Sequence, residues 1–151
     1  MGRQLQPTTF QRRPDTHDPS GLLVAWFTQP AGAIIQLVQE AELTAAMGAW
    51  LADRGCQELL TRFPGPTTLT IILDLRLMTS RQTAVRGLLV ETAKKIAPRL
   101  EMGFVIPPAG SGKVYLASLH AATAALRAFG AKVSVAESLS QLCQERGIRP
   151  V

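Results

Sequence analysis

The middle of the chain carries an apolar run that ends at an acidic residue. Leu69 to Leu73 reads Leu-Thr-Ile-Ile-Leu, and Asp74-Leu75 follows it directly. An apolar run of strand length with two β-branched isoleucines predicts a strand that is covered on both faces, as in the parallel sheet of an α/β protein. Polar residues after such a strand lie at the carboxyl end of the sheet, where α/β proteins place their ligand sites. The junction from Leu69 to Ser80 therefore predicts where a functional site lies, but it does not specify a reaction.

Length and composition predict one globular domain that follows a polar amino-terminal leader. The chain has 151 residues, of which 46% are hydrophobic and 18% are charged, and this length suits a single domain. Residues 1–20 are rich in Gln, Thr, Pro and Arg and predict a flexible leader, so the folded domain is expected over residues 21–151. No stretch approaches the roughly 20 apolar residues of a membrane helix, and the amino terminus has no apolar signal core. We therefore expect a cytoplasmic protein that does not enter a membrane.

Helical and strand patterns alternate after a short hairpin. Leu22–Phe27 and Ala33–Val38 are apolar runs joined by a Pro/Gly connection, which predicts an antiparallel hairpin. Apolar spacing and end signals then predict helices over 40–62, 80–97, 113–129 and 137–146, and strands over 69–73, 102–106 and 131–135. The order β-β-α-β-α-β-α-β-α predicts an α/β fold, with a mostly parallel sheet and right-handed crossovers after the hairpin.

The net charge is +5, but the basic residues are dispersed along the chain. A loose group of them runs from Arg81 to Arg99, on or just after the helix that follows the central strand. No aromatic residue is interleaved with this group, whereas sites for single-stranded nucleic acids combine basic grooves with aromatic side chains. We therefore expect a solvated basic helix face that an acidic protein partner could contact, and no binding of nucleic acid.

The side chains that usually carry catalysis or bind metals are few and scattered. His17 falls in the predicted leader and His120 in the middle of a predicted helix, so neither is paired with a nucleophile, and no cluster has the spacing of metal ligands. Cys56 and Cys143 lie on predicted helices among apolar neighbours, which favours reduced core residues over a disulfide. We expect no enzymatic activity, no metal site and no cofactor.

A glycine-rich loop joins a predicted strand to a predicted helix at Gly110-Ser111-Gly112-Lys113. It differs from a P-loop because Pro107 stands where the first glycine belongs and Val114 replaces the Ser or Thr that reaches magnesium. Nucleoside triphosphate hydrolysis is therefore not expected. Two interpretations of the loop stay open: a flexible connection, or a looser anion contact through backbone N–H groups.

Three patterns together resemble one known family. They are the strand that ends in Asp74-Leu75, the helix expected from Ser80, and the closing sequence Ala131-Lys132-Val133-Ser134-Val135-Ala136-Glu137-Ser138-Leu139. With the order of elements, they look like a STAS-type domain over residues 22–147. This is the domain of the anti-sigma factor antagonists, and the chain resembles a divergent form that is related in shape to CRAL-TRIO lipid-transfer folds. The resemblance implies a regulatory domain that binds another protein.

The resemblance also implies a candidate site. In the antagonists a strand ending in Asp-Leu leads to an Asp-Ser pair, whose serine lies at a helix amino terminus and is phosphorylated by a partner kinase. Asp74 and Leu75 match the strand end, and Thr79-Ser80 occupy the positions of the pair, with Thr79 in place of the aspartate. A phosphate on Ser80 would suit the positive end of a helix dipole. The alternative is that Thr79 or Ser80 only caps the helix, which is worth about 1 kcal/mol.

We therefore predict a non-enzymatic domain that binds a protein partner through the segment from Asp74 to Arg81 and the exposed side of the next helix. Thr79, Ser80, Asp74 and Arg81 are the candidate phosphoacceptors or partner contacts. The alternative is a small-ligand module that holds an anion, a nucleotide or a lipid between the sheet and the loop from Gly110 to Lys113. Self-association through an unpaired edge of the opening hairpin is also left open.

Overall fold

The computed structural model describes residues 13–96, 99–107 and 123–150, and these residues contain nine strands, five α-helical segments and one π-helical turn. The strands are β1 (Thr16–His17), β2 (Leu23–Gln29), β3 (Gly32–Leu37), β4 (Ala41–Leu43), β5 (Leu69–Asp74), β6 (Met78–Arg81), β7 (Leu100–Val105), β8 (Lys132–Ala136) and β9 (Arg149–Pro150). The helices are α1 (Ala45–Trp50), α2 (Cys56–Arg62), α3 (Ala84–Ile96), α4 (described over residues 123–128) and α5 (Leu139–Arg146). A π-helical turn, Leu51–Gly55, connects α1 to α2.

Seven strands form one mixed sheet in the order β1-β2-β3-β5-β7-β8, and β9 pairs with β2. β2 and β3 form the antiparallel hairpin, while β3, β5, β7 and β8 run parallel to one another. All six residues of β5 are buried, as its uninterrupted apolar pattern predicts for a central strand. The predicted α/β class and the mostly parallel sheet opened by a hairpin are confirmed.

The two faces of the sheet are covered unequally in the described part of the chain. Helices α1 to α4 pack on one face and bury the larger apolar cluster, which includes Leu73 and Phe104. Helix α5 packs on the other face over Ile34, Ile72 and Val105. Gly103 permits this contact, because a Cβ there would lie 2.9 Å from the Leu142 Cδ2 atom of α5.

The predicted leader is too long at its carboxyl end. Thr16–His17 forms β1 and pairs with β2, so His17 is part of the sheet. Asp18 is buried, and its carboxylate accepts hydrogen bonds from the Leu23 N–H and from the Ser20 hydroxyl. These contacts close the turn into β2, which is why the fold begins before residue 21. Residues 1–12 lie outside the described part.

Two predicted helix starts are also wrong. The helix expected from Glu40 begins at Ala45, where the Thr44 hydroxyl caps it by accepting from the Met47 N–H, and residues 41–43 form β4 instead. The helix expected from Ser80 begins at Ala84, because residues 78–81 form β6. Strands β4 and β6 pair in parallel beyond the carboxyl ends of β3 and β5 and make a second, two-stranded sheet. The predicted order of elements therefore lacked β1, β4, β6 and β9.

Helix ends marked by Pro or Gly agree better with the prediction. Helix α2 ends at Arg62, before the predicted stop at Phe63-Pro64, and Gly147 ends α5 in the left-handed conformation with φ of 63°. Within the described ranges, no helix has the length and hydropathy needed to cross a membrane.

Candidate functional site

Asp74 is the last residue of β5 and its carboxylate is buried at the carboxyl edge of the sheet. One oxygen, Oδ1, accepts from the Arg76 backbone N–H at 3.1 Å and from the Arg76 Nε at 3.0 Å. The other, Oδ2, accepts from the Arg76 Nη2 at 2.7 Å and from the Gln36 Nε2 at 2.9 Å. A carboxylate has about four acceptor positions, so that of Asp74 is saturated.

Neighbouring strands place these three groups together. Gln36 lies in register with Asp74 on the adjacent parallel strand β3, and both side chains are buried. Arg76 follows in the turn after β5 and forms a two-pronged ion pair with Asp74. The hydrogen bond to Asp74 is the main cause of the raised pKa of Arg76. Because these hydrogen bonds use all of its acceptor positions, the Asp74 carboxylate links the turn after β5 to β3 and stabilises the carboxyl edge of the sheet.

The second sheet extends this edge outward. Its register pairs Ala41 with Met78 and Glu42 with Ser80, with an irregularity between the two pairs. Met78 is buried, whereas Thr79, Ser80 and Glu42 are exposed. The short strand β6 therefore anchors one apolar side chain in the core and presents the next residues to solvent.

Ser80 lies in β6 and not at a helix amino terminus, so the prediction that it caps a helix is wrong, whereas its role as a phosphoacceptor or partner contact stays a prediction. Its hydroxyl donates to the Glu42 Oε2 at 3.0 Å, and the Gln82 Nε2 donates to the Glu42 Oε1 at 3.4 Å. The Gln82 Oε1 in turn accepts from the backbone N–H of Ala45 at 2.6 Å, at the start of α1. A phosphate on Ser80 would face the Glu42 carboxylate, and this like-charge repulsion disfavours the modification.

Two arginines near β6 are available for an outside partner. Arg81 ends β6 with its side chain half-buried, and Arg86 is exposed on the first turn of α3. Neither side chain forms a hydrogen bond or an ion pair with another residue in the described part of the chain. Other basic residues of this group are engaged: Arg99 donates to the carbonyls of Phe63 and Thr67.

The other predicted site residues are separate or outside the described ranges. The loop from Gly110 to Lys113 and His120 lie outside them, so neither the proposed anion contact nor the histidine is described. Cys56 and Cys143 are free thiols whose pKa values are raised by burial. No group of three or more potential metal ligands occurs in the described ranges.

An apolar cavity of about 80 Å³ was not anticipated from the sequence. It lies between the sheet and the helices of the larger core, and Ala25, Ala33 and Ala93 are among its lining residues. The sequence feature that could have indicated this cavity is the placement of alanines at core-facing positions of the strands and helices. Their small size leaves space where larger neighbours do not meet.

We compared the chain with models of known protein families, with curated proteins and with solved structures, and none of them matches it.

Proposed function

We propose that this chain is a non-enzymatic protein-interaction domain, as its resemblance to the anti-sigma factor antagonists implies. The contact is made by the β6 surface, which we define as Thr79, Ser80, Arg81 and Arg86. The partner presents an acidic surface, since the side chains of Arg81 and Arg86 form no ion pair with a described residue.

The observation that carries this proposal is the rigid support of an exposed polar strand. The Leu77 carbonyl accepts from the Ala41 N–H at 3.1 Å, and the Leu43 carbonyl accepts from the Gln82 N–H at 3.0 Å, so β6 is held against β4 from both ends. Leu77 and Met78 are buried beneath it. Binding groups on a fixed backbone lose little conformational entropy when a partner docks, which favours recognition at such a position.

The state of Asp74 supports binding rather than chemistry at this edge. A general base needs a free acceptor position within reach of a substrate proton, and the Asp74 carboxylate has all of its positions occupied by Gln36 and Arg76. Its contribution is to hold the ends of β3 and β5 together beneath the β6 surface.

Charge reversal at two ends of the sheet tests the proposal. Arg81→Glu changes the β6 surface, while Arg149→Glu makes the same change on β9, which pairs with β2 at the opposite end of the parallel strands. Each variant is isolated gently from the protein's own cells, and native mass spectrometry measures the amount of partner that stays bound. We expect Arg81→Glu to retain about a tenth of the partner or less and Arg149→Glu to retain all of it. Equal retention by both variants would place the interface elsewhere.

The same spectra report modification of the site. A phosphate mapped to Thr79 would agree with an exposed acceptor on β6, whereas a phosphate on Ser80 would contradict the repulsion expected from Glu42.

A further inference from the structure

The cavity in the larger core has the composition of a site for a hydrocarbon. Its wall is formed by apolar side chains from β2, β3, β5 and β7 on one side and from the helices on the other. Ile35 and Leu73 contribute from the sheet, and Leu59 and Leu89 contribute from α2 and α3. None of the lining residues in the described part of the chain carries a charge. An ion would therefore lose its hydration there without gaining a partner.

The space arises from small residues at defined register positions. Ala25 lies opposite Ile35, and Ala33 lies opposite Phe27, so each cross-strand pair of the hairpin joins a small side chain to a large one. Ala93 is buried on α3 and lines the same space from the helix side. The cavity therefore results from alanines at fixed positions in the sheet and in α3, and it does not depend on the conformation of a loop.

Two of the polar side chains in the wall, those of Thr92 and Cys56, are satisfied or weakly polar. The Thr92 hydroxyl donates to the Leu88 carbonyl of its own helix at 2.8 Å. Cys56 contributes a thiol, which is a weak donor. Apolar cavities of this type stay dry, and one of about 150 Å³ accepts benzene. A cavity of about 80 Å³ is roughly half that size, so it suits an alkyl group of about three or four carbons.

A surface groove adjoins the cavity at Cys56, which lines both. The groove runs along the π-helical turn and α2, with Lys95 of α3 on its other side. The Lys95 ammonium donates to the Ala52 carbonyl at 3.1 Å, and Asp53 also lines the groove. The groove is thus polar and carries both signs of charge, whereas the cavity behind Cys56 is apolar.

We propose that the cavity is a binding site for a neutral alkyl group, which enters from the groove past Cys56. The alkyl group belongs either to a free short molecule or to the end of a longer chain whose polar head stays in the groove. This site is separate from the β6 surface and does not depend on its function.

The test uses Cys56 as a reporter in a Cys143→Ser background, so that one thiol remains. The rate of its alkylation by N-ethylmaleimide is measured with increasing butanol, octanol or octanoate. Erythritol, a polyol with the chain length of butanol, is the polar control. The titrations are repeated in Ala33→Val, which fills the cavity, and in Ala136→Val, a strand alanine of β8 outside its wall. Ala25→Val replaces Ala33→Val if circular dichroism shows that the latter is unfolded.

We expect saturable protection of Cys56 by an alkyl probe, at least about tenfold in rate at saturation, with none from erythritol. Ala33→Val should abolish this protection, and Ala136→Val should retain it. Protection by butanol alone would identify a free short molecule as the ligand. Tighter protection by the octyl probes would identify a longer chain as the ligand. If Lys95→Gln weakens the protection by octanoate but not by octanol, the carboxylate head of octanoate lies in the groove. No saturable protection, or equal protection in Ala33→Val, would overturn the proposal.

Discussion

Filling the cavity should stabilise the protein in the absence of any ligand. Studies of cavities in protein cores relate free energy to volume at about 24 cal/mol per Å³. For a cavity of about 80 Å³ this gives a ceiling of about 2 kcal/mol. Ala33→Val adds two carbons, each worth about 0.8 kcal/mol when buried, or about 1.6 kcal/mol together. Because some overlap with neighbours will reduce the gain, we expect the free energy of unfolding to rise by about 1 kcal/mol.

Urea denaturation followed by circular dichroism measures this change. The midpoint should move to higher urea while the dependence of the unfolding free energy on urea stays the same, as expected when only stability changes. Ala136→Val in β8 is the matched control, because it adds the same carbons to a half-exposed strand position, and it should change stability by less than about 0.5 kcal/mol. A loss of stability in Ala33→Val, or an equal gain in the control, would show that the space at Ala33 is not available to a larger side chain.

Three further changes test other parts of the fold. Asp74→Ala should lower the free energy of unfolding by about 3 kcal/mol in chemical denaturation, because it leaves the buried Gln36 amide without its acceptor; a loss below 1 kcal/mol would contradict a structural role. Gly87→Ala should raise the free energy of unfolding by about 1 kcal/mol, since a Cβ there meets nothing within 4 Å. Gly48→Ala should raise it by less, because its Cβ would lie 3.1 Å from a leucine of α3. Equal increases in the two variants would refute the close packing of α1 on α3. Burial raises the pKa of the Cys56 thiol above its ordinary value of 9.0, so this thiol ionises at lower pH in the unfolded chain than in the folded protein. The thermal midpoint should therefore fall as the pH rises above about 9, and it should fall more steeply than in the control variant Cys56→Ala.

The parallel core of the fold was predictable because its signals are local. The apolar run at 69–73, the helix stop at Phe63-Pro64 and the glycine after α5 each depend on a few adjacent residues. Strands β4 and β6 have three and four residues, and their pairing joins positions such as Glu42 and Ser80 that are far apart in the chain. Short strands of mixed pattern carry little signal of their own, so this second sheet could not be read from the sequence.

The candidate site illustrates the same limit. Thr79-Ser80 before a helical pattern is a typical capping signal, and local preference alone favours a helix start there. Burial of Leu77 and Met78 and the ladder with β4 override that preference and delay the helix to Ala84. The strand-end position of Asp74 was correct, but its saturation by Gln36 and Arg76 depends on a neighbouring strand. The resemblance to STAS domains, and the binding function that it implies, remain predictions.

The pairing of β4 with β6 also determines at which stage of folding the β6 surface forms. These two short strands can align only after β3 and β5 have paired, because each continues from the carboxyl end of one of them. We therefore expect the core sheet to form first and the β6 surface last, with opening in the reverse order. We expect local opening of this two-stranded sheet to cost less free energy than unfolding of the whole domain. A partner that binds the β6 surface should then slow amide exchange at the carboxyl edge while exchange in the central sheet remains unchanged.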